Sequence, residues 1–283
     1  MRPTVSIIMA VYNGAETVRE ALDSVLAQTF DDWEFVVCDD GSSDLTSSIL
    51  RDFQRETGDG RVTVLTNPSN QKLAYSLNRC LEVASGHLVA RMDADDISVP
   101  HRLERQVLYL HQHPEVDLVG TAMRRFDGDV LGEVIYPAAE APDRYTLGRT
   151  INAPFFHATI VARRHVFDRV GNYTVSRMTE RTEDLDLWFK FFSEQLEGRN
   201  LSDPLYLVRE NRAAIRRRTP RTRIADFLVR WQGYRRLGYP LRVYPRIVLN
   251  LLKVAVPYSV IDWYRAWTGR RARVDLAREW GTK

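Results

Sequence analysis

The amino-terminal part of the chain alternates short apolar runs with amphipathic segments. The apolar runs are "VSIIMAV" (5–11), "WEFVVC" (33–38), "RVTVL" (61–65) and "HLVARM" (87–92). The segments between them, "AETVREALDSVLAQ" (15–28), "DLTSSILRDFQRET" (44–57) and "AYSLNRCLEVA" (74–84), carry apolar residues at helical spacing. Strands that alternate with helices of this length form βαβ units. The sequence therefore predicts an α/β fold, with a mostly parallel sheet covered on both faces by helices.

Polar clusters directly follow three of the four predicted strands. "YNG" (12–14) follows the first strand, "DDGSSD" (39–44) the second and "DADD" (93–96) the fourth. In open α/β sheets, ligands bind at the carboxyl ends of the strands. These positions therefore predict a binding site along that edge of the sheet. Asp44 is placed to cap the helix that follows it.

The cluster at 93–96 indicates a metal site. Asp93 and Asp95 flank one alanine immediately after a strand, so in extended geometry both carboxylates point the same way. Like charges this close repel each other unless a cation or hydrogen-bond donors compensate them. Carboxylates suit Mn²⁺ or Mg²⁺, particularly where phosphate oxygens complete the coordination shell. The alternative, an aspartate-rich turn that caps the next helix, fits Asp96 better than the other two.

The sequence contains no glycine-rich phosphate loop. Neither GxGxxG nor GxxxxGK[ST] occurs, so the phosphates of a nucleotide would have to be held by a metal. In the second cluster, Gly41 permits a tight turn. Ser42 and Ser43 can donate from their hydroxyls, and a neighbouring carboxylate can accept from a base or a ribose. The absence of a glycine-rich phosphate loop therefore favours the interpretation of Asp93 and Asp95 as metal ligands.

The alternation becomes less regular beyond Pro100, which is placed to open a helix. "EDLDLWFKFFSE" (183–194) carries an apolar stripe and predicts an amphipathic helix. Further strands are predicted at 116–120, 133–137 and 157–164.

The cysteine content and the length of the apolar runs indicate the cellular compartment. Cys38 and Cys80 are too few for a metal cluster or a disulfide framework, which predicts two small buried residues of a reducing compartment. The amino-terminal apolar run is too short for a signal-peptide core. No uncharged run reaches the roughly 20 residues of a membrane span. The sequence therefore predicts a cytoplasmic protein.

The carboxyl-terminal part differs from the rest in charge. Residues 1–100 carry 8 Lys+Arg against 16 Asp+Glu, whereas residues 209–283 carry 19 against 5. Residues 211–223 are predicted to be an exposed linker. From residue 224 on, aromatic and aliphatic residues alternate with arginine, and prolines divide the segment into short helices.

Several interpretations of this basic segment remain open. Its helices pack on the main domain, or they lie peripherally on the inner face of the cell membrane with Trp and Tyr at headgroup depth. A solvated basic face that binds nothing is the third alternative. A nucleic-acid partner is not expected.

Four motifs taken together resemble a known family. "PTVSIIMAVYNGAETVREALDSVLAQTF", "FVVCDDGSSDLT", "ARMDADDISVPHRLERQ" and "TEDLDLW" occur in the order found in the inverting family 2 glycosyltransferases, which have the Rossmann-like GT-A fold. The similarity covers roughly residues 3–210. It implies a GT-A domain at 1–210, followed by a basic, aromatic-rich helical extension at 211–283. It also implies transfer of a sugar from a nucleotide diphosphate, most often UDP, to an acceptor hydroxyl.

The resemblance assigns roles on the nucleotide side. Tyr12 and Asp40 would contact the uracil, with Asp39 beside them. Ala10 stands in the same nucleotide-binding motif, at a position where the family often has proline. Asp93 would face the ribose and the metal.

On the diphosphate and acceptor side, the resemblance implies that Asp95 ligates the metal and that Asp184 is the general base. Glu183 and Trp188 would line the acceptor pocket. From the residues alone, Asp184 also fits a helix amino-terminal acid favoured by the macrodipole. His157 fits a position near the donor phosphates or the acceptor, or a structural histidine.

Three further arginine and lysine features complete the expectations. Arg91 would counter the aspartates or bind phosphate, with a surface role as the alternative. Lys72 stands where the family commonly has glycine, which affects the local backbone and the sugar contacts. The arginines at 216–218 could replace the family's usual histidine and serine in the loop that closes over the donor.

The function expected is an inverting, metal-dependent glycosyltransferase using a UDP-sugar and a saccharide or lipid-linked acceptor in cell-surface polysaccharide or glycan biosynthesis. The first alternative is a catalytically silent relative that binds nucleotide and acts as an assembly partner. The second is a nucleotidyltransferase, which usually carries a Gly/Arg/Lys-rich amino-terminal loop that "VYNGAETV" is not.

Overall fold

A computed structural model describes residues 2–58, 60–150, 153–210, 220–252 and 274–275. Its strands are β1 Val5–Val11, β2 Trp33–Asp39, β3 Val62–Thr66, β4 Leu88–Arg91, β5 Ile97–Ser98, β6 Leu118–Asp127, β7 Val130–Ile135, β8 Val161–Arg163, β9 Gly198–Arg209 and β10 Val274–Asp275. They form one sheet with the order β10-β7-β6-β8-β4-β1-β2-β3, to which β5 and β9 are joined at the side.

Nine α-helices occur within these described ranges. They are α1 Val18–Leu26, α2 Thr46–Thr57, α3 Leu73–Val83, α4 Arg102–Gln112, α5 Thr146–Arg149, α6 Arg164–Val170, α7 Glu183–Ser193, α8 Pro220–Arg236 and α9 Tyr244–Leu252. Short 3₁₀ turns lie at His157–Thr159 and Leu241–Val243.

The centre of the sheet is parallel, as predicted. β1 lies between β2 and β4 and runs parallel to both, and β3 continues the parallel set beyond β2. Beyond β4, the strands β8, β6 and β7 pair antiparallel. Because the parallel strands end at one edge, the loops after β1, β2 and β4 meet there.

Helices cover both faces of the sheet. Successive side chains of β1 point to opposite faces, and they belong to two different hydrophobic clusters. Ile7 and Met9 belong to one hydrophobic cluster, which includes residues of α1, α2 and α4. Ile8 belongs to the other, which includes residues of α3, α6, α7 and α8. Cys38 and Cys80 are buried free thiols, as expected.

The boundaries predicted in the first hundred residues agree with the structure to within a few residues, and the later ones need correction. The strand expected at 157–164 is a 3₁₀ turn followed by the three-residue β8. Of the expected linker at 211–223, residues 211–219 lie outside the described residues, and 220–223 are the first turn of α8. The cap of α2 is Leu45, while Asp44 accepts a hydrogen bond from the Thr46 amide at 3.0 Å.

The described part of the carboxyl-terminal segment packs on the rest of the chain. Val229, Tyr234, Tyr239 and Ile247 are buried in the same cluster as α7. The Tyr234 hydroxyl donates to the Leu147 carbonyl at 3.0 Å. Residues 220–252 thus follow the packed-helix interpretation. None of the described helices has the length and apolar content to cross a membrane.

Gly233 tests this packing, because a Cβ at this position would lie 2.2 Å from the Phe189 ring. Ala normally favours a helix interior over Gly by about 1 kcal/mol. Here we expect Gly233→Ala to lower the free energy of unfolding by about 1 kcal/mol or more, since overpacking outweighs that gain. Urea denaturation measures the change. Gln232→Ala, at an exposed position on α8, is the control, and equal stability of the two variants would contradict the packing.

Candidate functional site

The loops after β1 and β2 are fastened to each other. The Asn13 amide donates to Ser42 Oγ at 2.9 Å, and the Ser43 amide donates to Asn13 Oδ1 at 2.9 Å. Gly41 has φ +73°, and a Cβ there would lie 2.7 Å from the Ser69 backbone, so the predicted tight turn requires glycine. Tyr12 is 49% exposed beside these loops, whereas Ala10 is packed against the core.

Asp39 and Asp40 are both buried, and their carboxylates shape the surrounding loops. Asp39 accepts hydrogen bonds from the Ser42 amide, at 3.0 Å, and from the Ser47 hydroxyl. Asp40 accepts from Asn67 Nδ2 at 2.7 Å and from the amide of Gln71 at 2.8 Å. The contacts with uracil stay a prediction. In this structure the Asp39 carboxylate joins the loop after β2 to α2, and the Asp40 carboxylate holds the loop that leads into α3.

The aspartates of "DADD" form one cluster after β4. Carboxylate oxygens of Asp93, Asp95 and Asp96 all lie within 4.8 Å of one another. Asp96 does not cap a helix, which corrects the alternative considered for it: its Oδ1 accepts from the Arg209 amide at 2.8 Å, and the next element is the short β5. Three clustered carboxylate oxygens suit a hard divalent cation.

Arg91 is a buried cation beside this cluster. Its guanidinium binds Asp93 through two nitrogens, at 2.6 and 2.5 Å, and its Nε has no hydrogen-bond partner among the described residues. Burial raises the pKa of Asp95, and the Asp93 charge raises it further, whereas Arg91 lowers it. Asp96 has a pKa well above the usual range, because of burial and then the charge of Asp93. A divalent cation would compensate this charge.

Three residues that the sequence did not indicate hold the cluster. Arg102 is buried and donates from Nη2 to the Arg91 carbonyl at 2.7 Å. The buried Tyr206 hydroxyl accepts from the Asp93 amide at 2.9 Å. Arg209 donates from Nε to the Asp95 carbonyl at 2.9 Å. Two of the three lie more than a hundred residues along the chain from the aspartates, so no local sequence pattern could have identified them.

Glu183 and Asp184 are the first two residues of α7. Burial raises the pKa of Glu183 to about 7, with a further contribution from the Asp184 charge. Burial also raises the pKa of Asp184, although a hydrogen bond from the Leu185 amide and the Arg91 charge oppose it. The helix amino terminus favours the ionised forms, but desolvation is the larger effect at both carboxyls.

His157 and Trp188 are in contact with each other, with their ring centroids 6.1 Å apart. His157 Nε2 is 2.8 Å from the Tyr173 hydroxyl, and burial, followed by the Arg91 charge, holds the pKa of His157 well below its usual range. Trp188 follows Asp184 by one turn and is only 1% exposed, against Phe155 and His157. Its Nε1 has no partner among the described residues. Tyr173 is a further residue that the sequence did not indicate.

Arg91 connects the two halves of the site. Its charge acts on Asp95 of the aspartate cluster and on Glu183, Asp184 and His157. The structure thus brings the predicted metal ligands and the predicted base together around one buried guanidinium. Lys72 lies at the border of this site, with its Nζ 3.9 Å from Glu180 Oε1. The arginines at 216–218 lie outside the described residues.

The chain is similar in sequence to known glycosyltransferases. The chain is 39% identical over 263 residues to the putative glycosyltransferase EpsE of Bacillus subtilis, and the alignment covers 93% of each chain. It is 30% identical over 206 residues to the O-antigen biosynthesis glycosyltransferase WbnJ of Escherichia coli, covering 71% of this chain and 77% of WbnJ.

The crystal structure of S. aureus TarS 1–349 in complex with UDP-GlcNAc matches 95% of this chain and 76% of its own, with a TM-score of 0.68 and 17% identity. This likeness supports the GT-A fold. The sequence model of Glycosyl transferase family 2 matches residues 6–178. Both expectations from the motifs are thereby confirmed: the chain belongs to glycosyl transferase family 2 and is a glycosyltransferase with the GT-A fold.

Proposed function

We propose that the protein transfers a sugar from a UDP-sugar to a hydroxyl group of a saccharide or lipid-linked acceptor, with inversion at the anomeric carbon. The observation that carries the proposal is the position of the Asp93–Asp95–Asp96 cluster and of the Glu183–Asp184 pair around Arg91. A glycosyl transfer needs a group that stabilises the leaving diphosphate and a group that accepts a proton, and we assign these tasks to the two carboxylate sets.

The aspartate cluster fits a divalent cation. Its three carboxylates supply hard oxygen ligands within 4.8 Å of one another. Burial raises the pKa of Asp95 and of Asp96, and the charge of Asp93 raises both further, so a bound cation would favour the ionised carboxylates. Asp93 and Asp95 would hold Mn²⁺ or Mg²⁺ there. Such a cation stabilises the charge that develops on a departing diphosphate.

Asp184 is the proposed general base. It takes the proton from the acceptor hydroxyl as that oxygen attacks the anomeric carbon and the bond to the diphosphate breaks. One displacement of this kind inverts the configuration, through an oxocarbenium-like transition state. Burial and then the charge of Asp184 raise the pKa of Glu183 to about 7, so the pair carries less than two full negative charges at neutral pH. Tyr12, which is exposed beside the loop that Asp40 holds, would contact the uracil.

The acceptor class comes from the relatives. WbnJ is named for O-antigen biosynthesis, which supports a role for this chain in the synthesis of a surface polysaccharide.

Contact with the inner face of the membrane also stays part of the proposal. Leu241 is 82% and Leu249 61% exposed in the carboxyl-terminal segment, and basic segments of this kind are attracted to anionic lipids.

Calorimetric titration of UDP tests the donor and the metal together. We expect micromolar binding in Mn²⁺ and at least a tenfold loss in EDTA or in the Asp95→Ala variant, because the diphosphate would then lack the cation that Asp93 and Asp95 would hold. Asp31→Ala, which removes an exposed carboxylate before β2, is the control and should bind as the wild type does. UDP binding that is insensitive to both EDTA and Asp95→Ala would contradict the metal-dependent donor site.

A further inference from the structure

Lys72 has a backbone conformation that lysine rarely adopts. Its φ of 75° and ψ of 164° lie in a region that is essentially restricted to glycine. Four other non-glycine residues of the described chain have positive φ, and two of them are asparagines, which tolerate it better. A strained residue persists where its surroundings fix it, and such residues are concentrated at functional sites.

Main-chain hydrogen bonds fix this conformation. The Lys72 amide donates to Asp40 Oδ2 at 2.9 Å and to Asn70 Oδ1 at 3.2 Å. The Lys72 carbonyl accepts from the Ser76 amide at 3.2 Å, in the first turn of α3. A glycine would form all of these bonds without the strain. The lysine side chain is therefore not needed to build the loop.

The side chain has little to do within the protein itself. It is 59% exposed and forms an ion pair at 3.9 Å with Glu180, which is itself 38% exposed. An exposed pair at this separation contributes little to stability. Arg91 and Arg209, in contrast, are bound closely, to Asp93 and to Glu20. The Lys72 ammonium is thus available to a ligand at the border of the site.

The position of Lys72 indicates which ligand. Its amide is bonded to Asp40, on the predicted nucleotide side, and its ammonium extends toward Glu180, three residues before Glu183. We propose that the Lys72 ammonium binds an anionic oxygen of the nucleotide-sugar donor and thereby determines the affinity for it. This inference rests on the proposed function. The oxygen belongs to the diphosphate or to a carboxylate on the sugar.

Replacement of Lys72 by glycine removes the side chain and keeps the backbone conformation of the loop. The Lys72→Gly variant should melt at the same temperature as the wild type or about 2 °C higher, because strain is relieved. Its affinity for the donor should nevertheless fall about tenfold, as expected for the loss of one charged contact. Glu180→Gln breaks the internal ion pair, leaves the ammonium in place, and should keep the wild-type affinity.

The titrations use UDP, UDP-glucose and UDP-glucuronic acid with Mn²⁺. Weaker binding of all three to Lys72→Gly assigns the ammonium to the diphosphate, and weaker binding of UDP-glucuronic acid alone assigns it to the sugar carboxylate. Unchanged affinity of Lys72→Gly for all three overturns the proposal. An equal loss of affinity in Glu180→Gln also overturns it, because the Lys72–Glu180 ion pair would then act only by holding the loop in place. Absence of UDP binding by the wild type is a different result, which removes the proposed function and this inference with it.

Discussion

Asp184→Asn is expected to reduce turnover by at least about a hundredfold while leaving UDP affinity nearly unchanged. The amide cannot accept the proton of the acceptor hydroxyl, and a general base typically contributes a factor of 10² to 10⁴. Asp184, the proposed base, is the second residue of α7, where burial raises its pKa above that of an exposed aspartate. UDP released from a panel of UDP-sugars, with added saccharide or water as the acceptor, measures turnover.

Glu183→Gln is the matched control for this prediction. Glu183 has a pKa of about 7, and glutamine resembles its protonated form while the Asp184 carboxylate stays in place. We expect Glu183→Gln to retain turnover within about tenfold of the wild type. If Glu183→Gln loses turnover and Asp184→Asn retains it, the two roles are exchanged. If neither variant loses turnover, the base is not in this pair.

The sequence predicted β1 and α7 well because the apolar pattern that indicates each element lies within the element itself. β1 was expected at 5–11 and occurs at Val5–Val11, and α7 was expected at 183–194 and occurs at Glu183–Ser193. Each has a regular apolar period over its whole length. The 12-residue β9 was not predicted, because it begins with polar residues whose strand state depends on pairing with the distant β6.

The site shows the same division between local and distant contacts. The "DADD" aspartates could be identified from their position after a strand, but their supports could not. Tyr206 and Arg209 reach the cluster from β9, and the buried Arg102 reaches it from α4. The likeness to a family supplied Asp184, which a local pattern alone could not distinguish from an ordinary helix amino-terminal acid.

Glu183 should also make the stability of the protein depend on pH. Its pKa of about 7 in the folded protein is above the usual 4.5, so the folded state keeps this proton more tightly than the unfolded state. The stabilisation is fully present below pH 4.5, and it is lost as the pH rises through about 7. Glutamine at this position cannot ionise, and Glu183→Gln therefore removes this pH-dependent loss.

We accordingly expect Glu183→Gln to be more stable than the wild type by about 2 kcal/mol at pH 8, and nearly equal to it at pH 4.5. The difference of the two pKa values corresponds to a larger figure, which solvent access to the carboxylate reduces. Urea denaturation at the two pH values measures it, with Glu82→Gln, at an exposed position on α3, as the control. A gain that is the same at both pH values would show that it comes from packing, and no gain at pH 8 would show that the folded protein does not resist ionisation of Glu183.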